Sequence, residues 1–430
     1  MIGAGSAGFT PPLVADLVSS PRFAGSMLIL VDTQPERLAL MEQVARQLAR
    51  QKGAGLTVAS TTDRIAALEG ADFVLATFAV GGLSSWRQDI ELPRRYGIEQ
   101  TTGDTVGPGG LARALRHVPV LLGVARDMVA RCPDAWLINL TNPMSVLCRS
   151  VTRETPIKTV GLCHGILNTS RFLAGYLGCR PTDLRVRAAG INHLTWITDL
   201  RGAEGQDFYP ELLRTMAADI RPSMPVSAAL LDLYGYYPSP GDIHVDEFYR
   251  LFLRREPDGS LAHGLHLNAF YADESRRLRE FDTLEAQATG KVSVDALLGR
   301  ALEGERIVQV MDALSGGGAD LEPAVNIPNK GCLPGLPPEA IVEIPALVDA
   351  DQIAGLQTKA LPPAITATLA FWVGQQELTV DAAVHGDPRA ALQVLAADPQ
   401  MRSLEDARAL LRDLLDAQAP HLPQFSLRAS

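Results

Sequence analysis

The chain has 430 residues, 47% of them hydrophobic, which is enough apolar material for two packed domains. Its net charge of -10 argues against a nucleic-acid surface, because phosphate binding needs clustered Lys and Arg. The sequence has no apolar run of the roughly 18 residues that span a bilayer and no export signal at its start. A cytoplasmic protein without a membrane or nucleic-acid partner is therefore expected.

The first part of the chain alternates buried strands with apolar-periodic helices. The predicted strands are 27–32, 56–61, 72–78, 135–141 and 157–163. A helical pattern such as 35–51 lies between successive strands. This alternation predicts an α/β fold with a Rossmann-like, doubly wound parallel sheet.

The pattern changes beyond the last of these strands. A pair of strand-like runs covers 184–200, and residues from about 207 to 315 are mostly helical and charged. A segment dense in Gly and Pro, 326–349, predicts loops and extended chain, and 361–417 returns to helices. The sequence therefore predicts two domains, the Rossmann-like residues 1–165 and a mixed α+β domain of residues 166–430 for substrate binding and oligomerisation.

The chain opens "MIGAGSAGFT", with Gly3, Gly5 and Gly8 in the spacing G-x-G-x-x-G. In a dinucleotide-binding loop these glycines permit the turn, the approach of a pyrophosphate and close helix packing. Only two residues precede the loop, so either the true start lies upstream or the first strand is unusually short. Pro11 and Pro12 place the start of the following helix at about residue 12.

Asp32, at the end of the second predicted strand, favours NAD over NADP. Its carboxylate can accept from both ribose hydroxyls and would repel a 2′-phosphate. Ser6 and Ala7 in the loop and Thr77 at the end of strand 72–78 complete the predicted NAD-binding set. The alternative is a glycine turn with no special purpose.

Cys163 is predicted at the carboxyl end of a parallel strand, where open α/β sheets bind ligands. His164 follows it, and His193 lies in the strand-like run "GINHLTW". These residues would be a buried thiol and two core histidines, or part of a catalytic metal site completed by substrate oxygens and water. Five cysteines without a C-x-x-C motif indicate reduced thiols.

Together with the glycine loop, several longer motifs resemble glycoside hydrolase family 4, the NAD- and divalent-metal-dependent glycosidases, over nearly the whole chain. The matching stretches are "GAGSAGF", "DTVGPGGLARALR", "NLTNPMSV", "GLCHG", "GINHLTW" and "NIPNKGCLPGLPPEAIVEIPALVDADQI". The His after Cys163 is similar to the branch that acts on unphosphorylated α-glycosides, such as α-galactosidases, α-glucosidases and uronidases.

The resemblance implies that Cys163 and His193 bind the metal. Ligand softness alone favours zinc, iron or cobalt, whereas the family usually uses Mn²⁺, which the oxygen-rich remainder of the coordination sphere suits. Asn142 and Asp104 match substrate-contacting positions, with a helix cap and an Asx turn as the alternatives. Asn192 is also expected to bind substrate.

The catalytic base is predicted in residues 234–248, a segment with several candidates. Asp242, two residues before His244, best resembles the unphosphorylated branch, and Tyr237 lies behind it; His244 is expected to bind substrate. His164 is the predicted acid that protonates the leaving oxygen.

The implied reaction oxidises C3 of the sugar with NAD, removes the C2 proton, eliminates the C1 substituent, adds water and returns the hydride. The substrate is a neutral α-galactoside or α-glucoside, or a glucuronide or galacturonide. Arg276, Arg277 and Arg279 would bind a uronate carboxylate or form a charged helix face.

A homodimer or homotetramer is expected. Two other functions remain open, an NAD-dependent dehydrogenase of small hydroxy acids and a non-catalytic NAD-binding redox sensor.

Overall fold

A computed structural model describes residues 1–268, 274–299 and 306–426. The strands are β1 (Met27–Val31), β2 (Thr57–Thr61), β3 (Phe73–Ala76), β4 (Trp136–Asn139), β5 (Lys158–Gly161), β6 (Leu184–Ile191), β7 (Leu194–Gly202), β8 (Tyr237–Ser239), β9 (Asp320–Pro328), β10 (Ile341–Val348) and β11 (Ile353–Gly355).

The helices are α1 (Thr10–Ser19), α2 (Pro35–Lys52), α3 (Arg64–Leu68), α4 (Gly82–Arg95), α5 (Gly107–Arg131), α6 (Met144–Glu154), α7 (Gly165–Tyr176), α8 (Tyr209–Ile220), α9 (Pro225–Tyr234), α10 (Asp242–Val245), α11 (Glu274–Ala288), α12 (Asp295–Leu298), α13 (Ile307–Leu314), α14 (Pro363–His385), α15 (Pro388–Ala396), α16 (Leu404–Gln418) and α17 (Pro423–Ser426).

A parallel sheet forms the first part of the chain, as predicted. β1 pairs with β2, β3 pairs with β4, and β4 pairs with β5, all in parallel. Ile2 joins the two halves because it bridges Val31 of β1 and Ala76 of β3. The resulting order, β2, β1, Ile2, β3, β4, β5, is that of a doubly wound dinucleotide-binding fold.

The sheet continues into the second part of the chain. Gly161 of β5 pairs with Asn326 of β9, and β10, β6, β7 and β8 follow in that order, all antiparallel. The loops and extended chain expected over 326–349 are found, and the extended parts pair within this sheet. This segment contributes parts of two sheet strands, and most of its Gly and Pro residues lie in the loop between them.

Helices α14 to α16 return to the first part of the chain and pack on α5, α6 and α4. Their apolar residues share a core with the Rossmann-like sheet. The boundary between residues 165 and 166 remains a prediction, with the C-terminal helices joining the core of the first part.

Two local predictions differ from the structure. Helix α1 begins at Thr10 rather than near residue 12. The amides of a helix's first turn have no intrahelical acceptor, so prolines, which lack an amide hydrogen, fit there without losing a hydrogen bond. In the predicted helical stretch 207–315, the described residues from 235 to 268 form mainly turns and short helices. No helix in the described ranges has both the length and the apolarity to cross a membrane.

Candidate active site

The predicted site residues of the first part lie at one edge of the sheet. Asp32 directly follows β1, Thr77 follows β3, Asn142 lies just beyond β4, and Cys163 lies just beyond β5. Because the four strands are parallel, their carboxyl ends meet at the same edge. This is where open α/β sheets bind ligands.

The glycine loop packs closely against this edge. Gly3 has φ +89°, and a Cβ there would lie 2.5 Å from the amide nitrogen of Phe78. A Cβ on Gly5 would lie 2.9 Å from Oδ2 of Asp32, and the Gly5 amide donates to that oxygen over 2.8 Å. Gly3 and Gly5 are therefore needed where they stand, because any side chain would displace the neighbouring strand ends.

The packing role predicted for Gly8 needs correction, whereas the NAD contact predicted for Thr77 stays a prediction. A Cβ on Gly8 would meet nothing within 4 Å, so this glycine is not needed for close helix packing. The Thr77 hydroxyl donates to the backbone oxygens of Ile2 and Gly3 over 3.2 and 3.1 Å. Thr77 therefore holds the loop in place. Ser6 accepts from the Phe9 amide over 3.3 Å, and Ala7 packs against the core.

His193 lies at a tight turn. β6 and β7 pair up to Ile191 and Leu194, which leaves Asn192 and His193 as the two loop residues of the hairpin. His193 has φ +65°, a left-handed conformation that a residue with a side chain adopts at some cost in free energy. Its Nδ1 is 2.8 Å from the Thr105 hydroxyl.

Three side chains converge around this imidazole. The ligand atoms of Asp104, His193 and His244 all lie within 4.8 Å of one another. Burial lowers the pKa of His193 to about 3, and burial also lowers the pKa of His244. Both rings are therefore neutral at neutral pH, which is the form that binds metal. Nδ1 of His244 is buried and has no hydrogen-bond partner among the described residues.

Asn142 is held against the same cluster. Its Nδ2 donates to Oδ2 of Asp104 over 2.9 Å, while its buried Oδ1 has no partner in the described part of the chain. The helix-cap alternative for Asn142 is excluded, since α6 has no side-chain cap.

The backbone carbonyl of Asn142 accepts two side-chain hydrogen bonds. Because Nε2 of His117 accepts from the Val80 amide, the neutral His117 ring donates from Nδ1 to the Asn142 carbonyl over 2.8 Å. Arg113 donates to that carbonyl too, over 3.2 Å.

Cys163 is not one of the three clustered residues; it is partly buried and packs against Met144, Cys148 and Ile341. His164 is exposed at the start of α7. Its charge lowers the pKa of both His193 and His244, although burial is the larger cause in each case. His164 is therefore an exposed imidazole close enough to influence the cluster, and its role as the acid stays a prediction.

The predicted base has three hydrogen bonds. Oδ1 of Asp242 accepts from the Ser227 amide and hydroxyl over 2.9 and 2.6 Å, and Oδ2 accepts from the Val226 amide over 2.8 Å. One lone pair of Oδ2 stays available. Tyr237 is 2% exposed, stacks on Phe172 and directs its hydroxyl to Met224, so its surroundings are those of a core residue.

A buried carboxylate that sequence reasoning missed lies behind the hairpin. Glu343 of β10 accepts from Asn326 over 3.1 Å, from Asn192 over 3.4 Å and from the hydroxyl of Thr195. Burial raises the pKa of its carboxyl. Asn326 also donates to the Gly161 carbonyl over 3.5 Å, so the network ties the end of β5 to the turn that carries His193. A single carboxylate within the apolar run "AIVEIPALV" was the available signal.

Of the three arginines expected to bind a uronate or to form a charged helix face, only one has a described side chain. The side chains of Arg276 and Arg277 lie outside the described residues, and Arg279 is exposed on α11.

Comparison with protein families matches both parts of the chain. The family described as "Family 4 glycosyl hydrolase" matches residues 1–179, and "Family 4 glycosyl hydrolase C-terminal domain" matches residues 188–401. An α-galactosidase of Bacillus subtilis is 30% identical over 99% of this chain and 98% of its own. An α-galacturonidase of the same organism is 32% identical over 96% of both chains.

Solved structures share the fold. The crystal structure of a Bacillus subtilis protein named as a candidate glucosidase is 30% identical and covers 96% of this chain and 98% of its own, with a TM-score of 0.86. A 6-phospho-α-glucosidase from gut microorganisms, solved in complex with NAD and Mn²⁺, is 19% identical and covers 98% and 97%, with a TM-score of 0.80.

Proposed function

The chain belongs to glycoside hydrolase family 4 and is a glycoside hydrolase, and from this we propose that it hydrolyses unphosphorylated α-glycosides with NAD⁺ and a divalent ion as cofactors. One observation carries the proposal. A dinucleotide-type glycine loop and a buried cluster of two imidazoles and a carboxylate are built on one continuous sheet.

The glycine loop fits a dinucleotide. Within the part of the chain that the structure describes, the amides of Ser6, Ala7 and Gly8 donate to no protein acceptor. The space around the Cα of Gly8 is open. Unpaired amides in a loop that leads into a helix are what a pyrophosphate binds. Asp32 accepts two backbone amides and keeps lone pairs for ribose hydroxyls, which supports NAD over NADP.

The cluster fits a divalent ion. Two neutral imidazoles and one carboxylate form a ligand set that suits Mn²⁺ or Fe²⁺ and leaves positions for substrate oxygens. The unpartnered Nδ1 of His244 supports a missing ligand at this point. We propose His193 and Cys163 as ligands, with Asp104 and His244 within reach of the same ion. His244, predicted to bind substrate, has the distances of a ligand.

When bound, NAD⁺ supplies a reversible oxidation at C3 of the sugar, and the ion supplies Lewis-acid stabilisation of the resulting charge. The side chains of the protein orient the sugar and move protons. Asp242 is the proposed base for the C2 proton, through the available lone pair of Oδ2. His164 is the proposed acid for the leaving oxygen.

Asn142, Asp104 and Asn192 are the proposed contacts to the sugar hydroxyls. Oδ1 of Asn142 and Oδ1 of Asn192 are both buried without partners within residues 1–268, 274–299 and 306–426, which supports this role. The proposed substrates are an α-galactoside, an α-glucoside and an α-glucuronide or galacturonide. A cytoplasmic location and a homodimer or homotetramer are part of the same proposal.

The test is a screen of aryl glycosides with the full chain, NAD⁺, Mn²⁺ and a thiol reductant. We expect hydrolysis of at least one unphosphorylated α-glycoside without net accumulation of NADH, and little hydrolysis of the β-anomers. Accumulation of NADH in proportion to product would indicate a dehydrogenase instead. Cleavage of 6-phosphorylated glycosides alone would place the chain with the phosphoglycosidases.

A further inference from the structure

A groove of about 590 Å³ opens where the end of α4, residues 250–255 and residues 400–402 meet. We call it the arginine groove. Its lining includes five arginines and one carboxylate, Glu99. The arginines are Arg94, Arg250, Arg254, Arg255 and Arg402. Such a concentration of positive charge is unusual on a chain with a net charge of -10.

Two of the five arginines are neutralised by buried carboxylates. Arg250 pairs with Asp398 over 3.0 Å, and the two side chains are 3% and 2% exposed. Arg255 pairs with Glu99 over 2.6 Å, and the Glu99 side chain is 7% exposed. The other three arginines, Arg94, Arg254 and Arg402, have no buried carboxylate of their own.

The three remaining guanidinium groups have no ion pair shorter than 3.4 Å in the described part of the chain. Nε and Nη2 of Arg94 are buried without a hydrogen-bond partner, and Glu99, already bonded to Arg255, is 3.4 Å from Nε. Arg254 has only the exposed Glu256 at 3.6 Å. Arg402 lies over Gly97, where a Cβ would be 2.4 Å from its Nη2. Buried donors such as those of Arg94 usually have a partner, and the described residues supply none.

We propose that the arginine groove binds a small polyanion that carries phosphate or carboxylate groups. Guanidinium forks bind both kinds of oxyanion in a bidentate manner, and the volume is that of a small-molecule site. A positive groove on an acidic protein also concentrates anions from solution. This site is separate from the NAD and sugar positions of the proposed function.

Two buried segments connect the arginine groove to the candidate active site. One runs from Glu99 to Asp104, and the other runs from His244 to Arg250.

Cross-bonds join these two segments along their length. The Thr101 hydroxyl donates to Asp246 over 2.7 Å, and the amides of Thr102 and Gly103 donate to Glu247 over 2.7 and 2.6 Å. An anion that draws the arginines away from Glu99 acts on a segment that ends at Asp104. Anion binding and metal binding are therefore coupled, and the coupling is reciprocal.

Sulfate is the probe for phosphate-like ligands and succinate the probe for carboxylates. Titration calorimetry on the full chain with NAD⁺ and Mn²⁺, at constant ionic strength set by chloride, should show saturable binding of at least one probe. The double variant Arg254→Gln with Arg402→Gln should weaken that binding at least about tenfold, because two charged hydrogen-bond donors are removed. Should the double variant fail to fold, Arg254→Gln alone serves, since its side chain is 65% exposed.

Arg214→Gln is the matched control, because Arg214 is 72% exposed on α8 and outside the groove. It should bind the probe like the unmodified chain. Binding of neither probe, or equal loss in Arg214→Gln, overturns the proposal.

A separate arm measures Mn²⁺ affinity by titration with and without the bound probe. A change in affinity supports the coupling, and an unchanged affinity refutes it. This arm alone rests on the proposed metal site, so its failure is distinguishable from failure of the anion site.

Discussion

Replacing Glu247 by Gln should stabilise the folded chain at pH 8 and leave its stability at pH 5 nearly unchanged. Glu247 is 1% exposed, and burial raises the pKa of its carboxyl from 4.5 to about 7. The folded chain therefore holds this proton more tightly than the unfolded chain does. The stability linked to the proton is fully present below pH 4.5 and is lost as the pH rises through about 7.

The difference between the pKa values of the Glu247 carboxyl in the unfolded and folded chain corresponds to a free energy of unfolding of about 3 kcal/mol. Gln keeps the shape of the side chain, and its Oε1 can accept from the amides of Thr102 and Gly103 as the carboxylate does. The variant therefore avoids the cost of a buried charge without losing these two bonds.

The assay is urea unfolding of Glu247→Gln and the unmodified chain at pH 5, 6, 7 and 8. The stability advantage of the variant should grow by about 2.5 kcal/mol across this range, because a small part of the effect is already present at pH 5. Glu256→Gln is the control, because its side chain is 43% exposed, and its effect on stability should not vary with pH. An advantage of Glu247→Gln that stays constant or shrinks as the pH rises would refute the reasoning.

Three further substitutions test the two cofactor sites. Cys163→Ser should abolish Mn²⁺-dependent turnover, since a hydroxyl is a poor anionic ligand. NAD⁺ binding, measured by fluorescence titration, should stay nearly unchanged. Full turnover of the variant would show that Cys163 does not bind the metal. Asp32→Ser should weaken NAD⁺ more than NADP⁺ in the same titration, and an unaltered preference would leave Asp32 as a strand-end residue. Glu343→Gln should raise the Mn²⁺ dissociation constant about 10- to 100-fold through the turn at His193, with little change in melting temperature. Glu322→Gln, which removes another buried carboxylate from the same sheet, should leave Mn²⁺ affinity unchanged, and equal losses in both variants would mean a general effect on the sheet.

The parallel half of the fold could be predicted because its signals are local. Each strand is a short apolar run followed by a helical pattern, and this alternation permits few topologies. The antiparallel extension could not be predicted in the same way. It begins with the pairing of Gly161 and Asn326, which are far apart in the sequence. The extended chain expected in 326–349 carried no signal of the strands with which it pairs.

The site could be predicted residue by residue but not as a group. Motif resemblance selected Asp104, His193 and His244, yet their grouping depends on a loop, a hairpin and a short helix that meet only in three dimensions. The third glycine of the loop was assigned a packing role because the motif usually has one, whereas at Gly8 the neighbouring space is open. Glu343 was missed because one carboxylate in an apolar strand has no periodicity to mark it.

The most direct test of the proposed reaction follows the hydrogen on C2 of the sugar. Direct displacement at C1 by two carboxylates leaves the C2–H bond intact, so product formed in D₂O would keep protium at C2. The oxidation and elimination route breaks this bond and re-forms it from solvent. With NAD⁺ well below the substrate concentration, NMR of the product should show deuterium at C2 and the original hydrogen at C3. Protium retained at C2, or a requirement for stoichiometric NAD⁺, would contradict the proposed reaction.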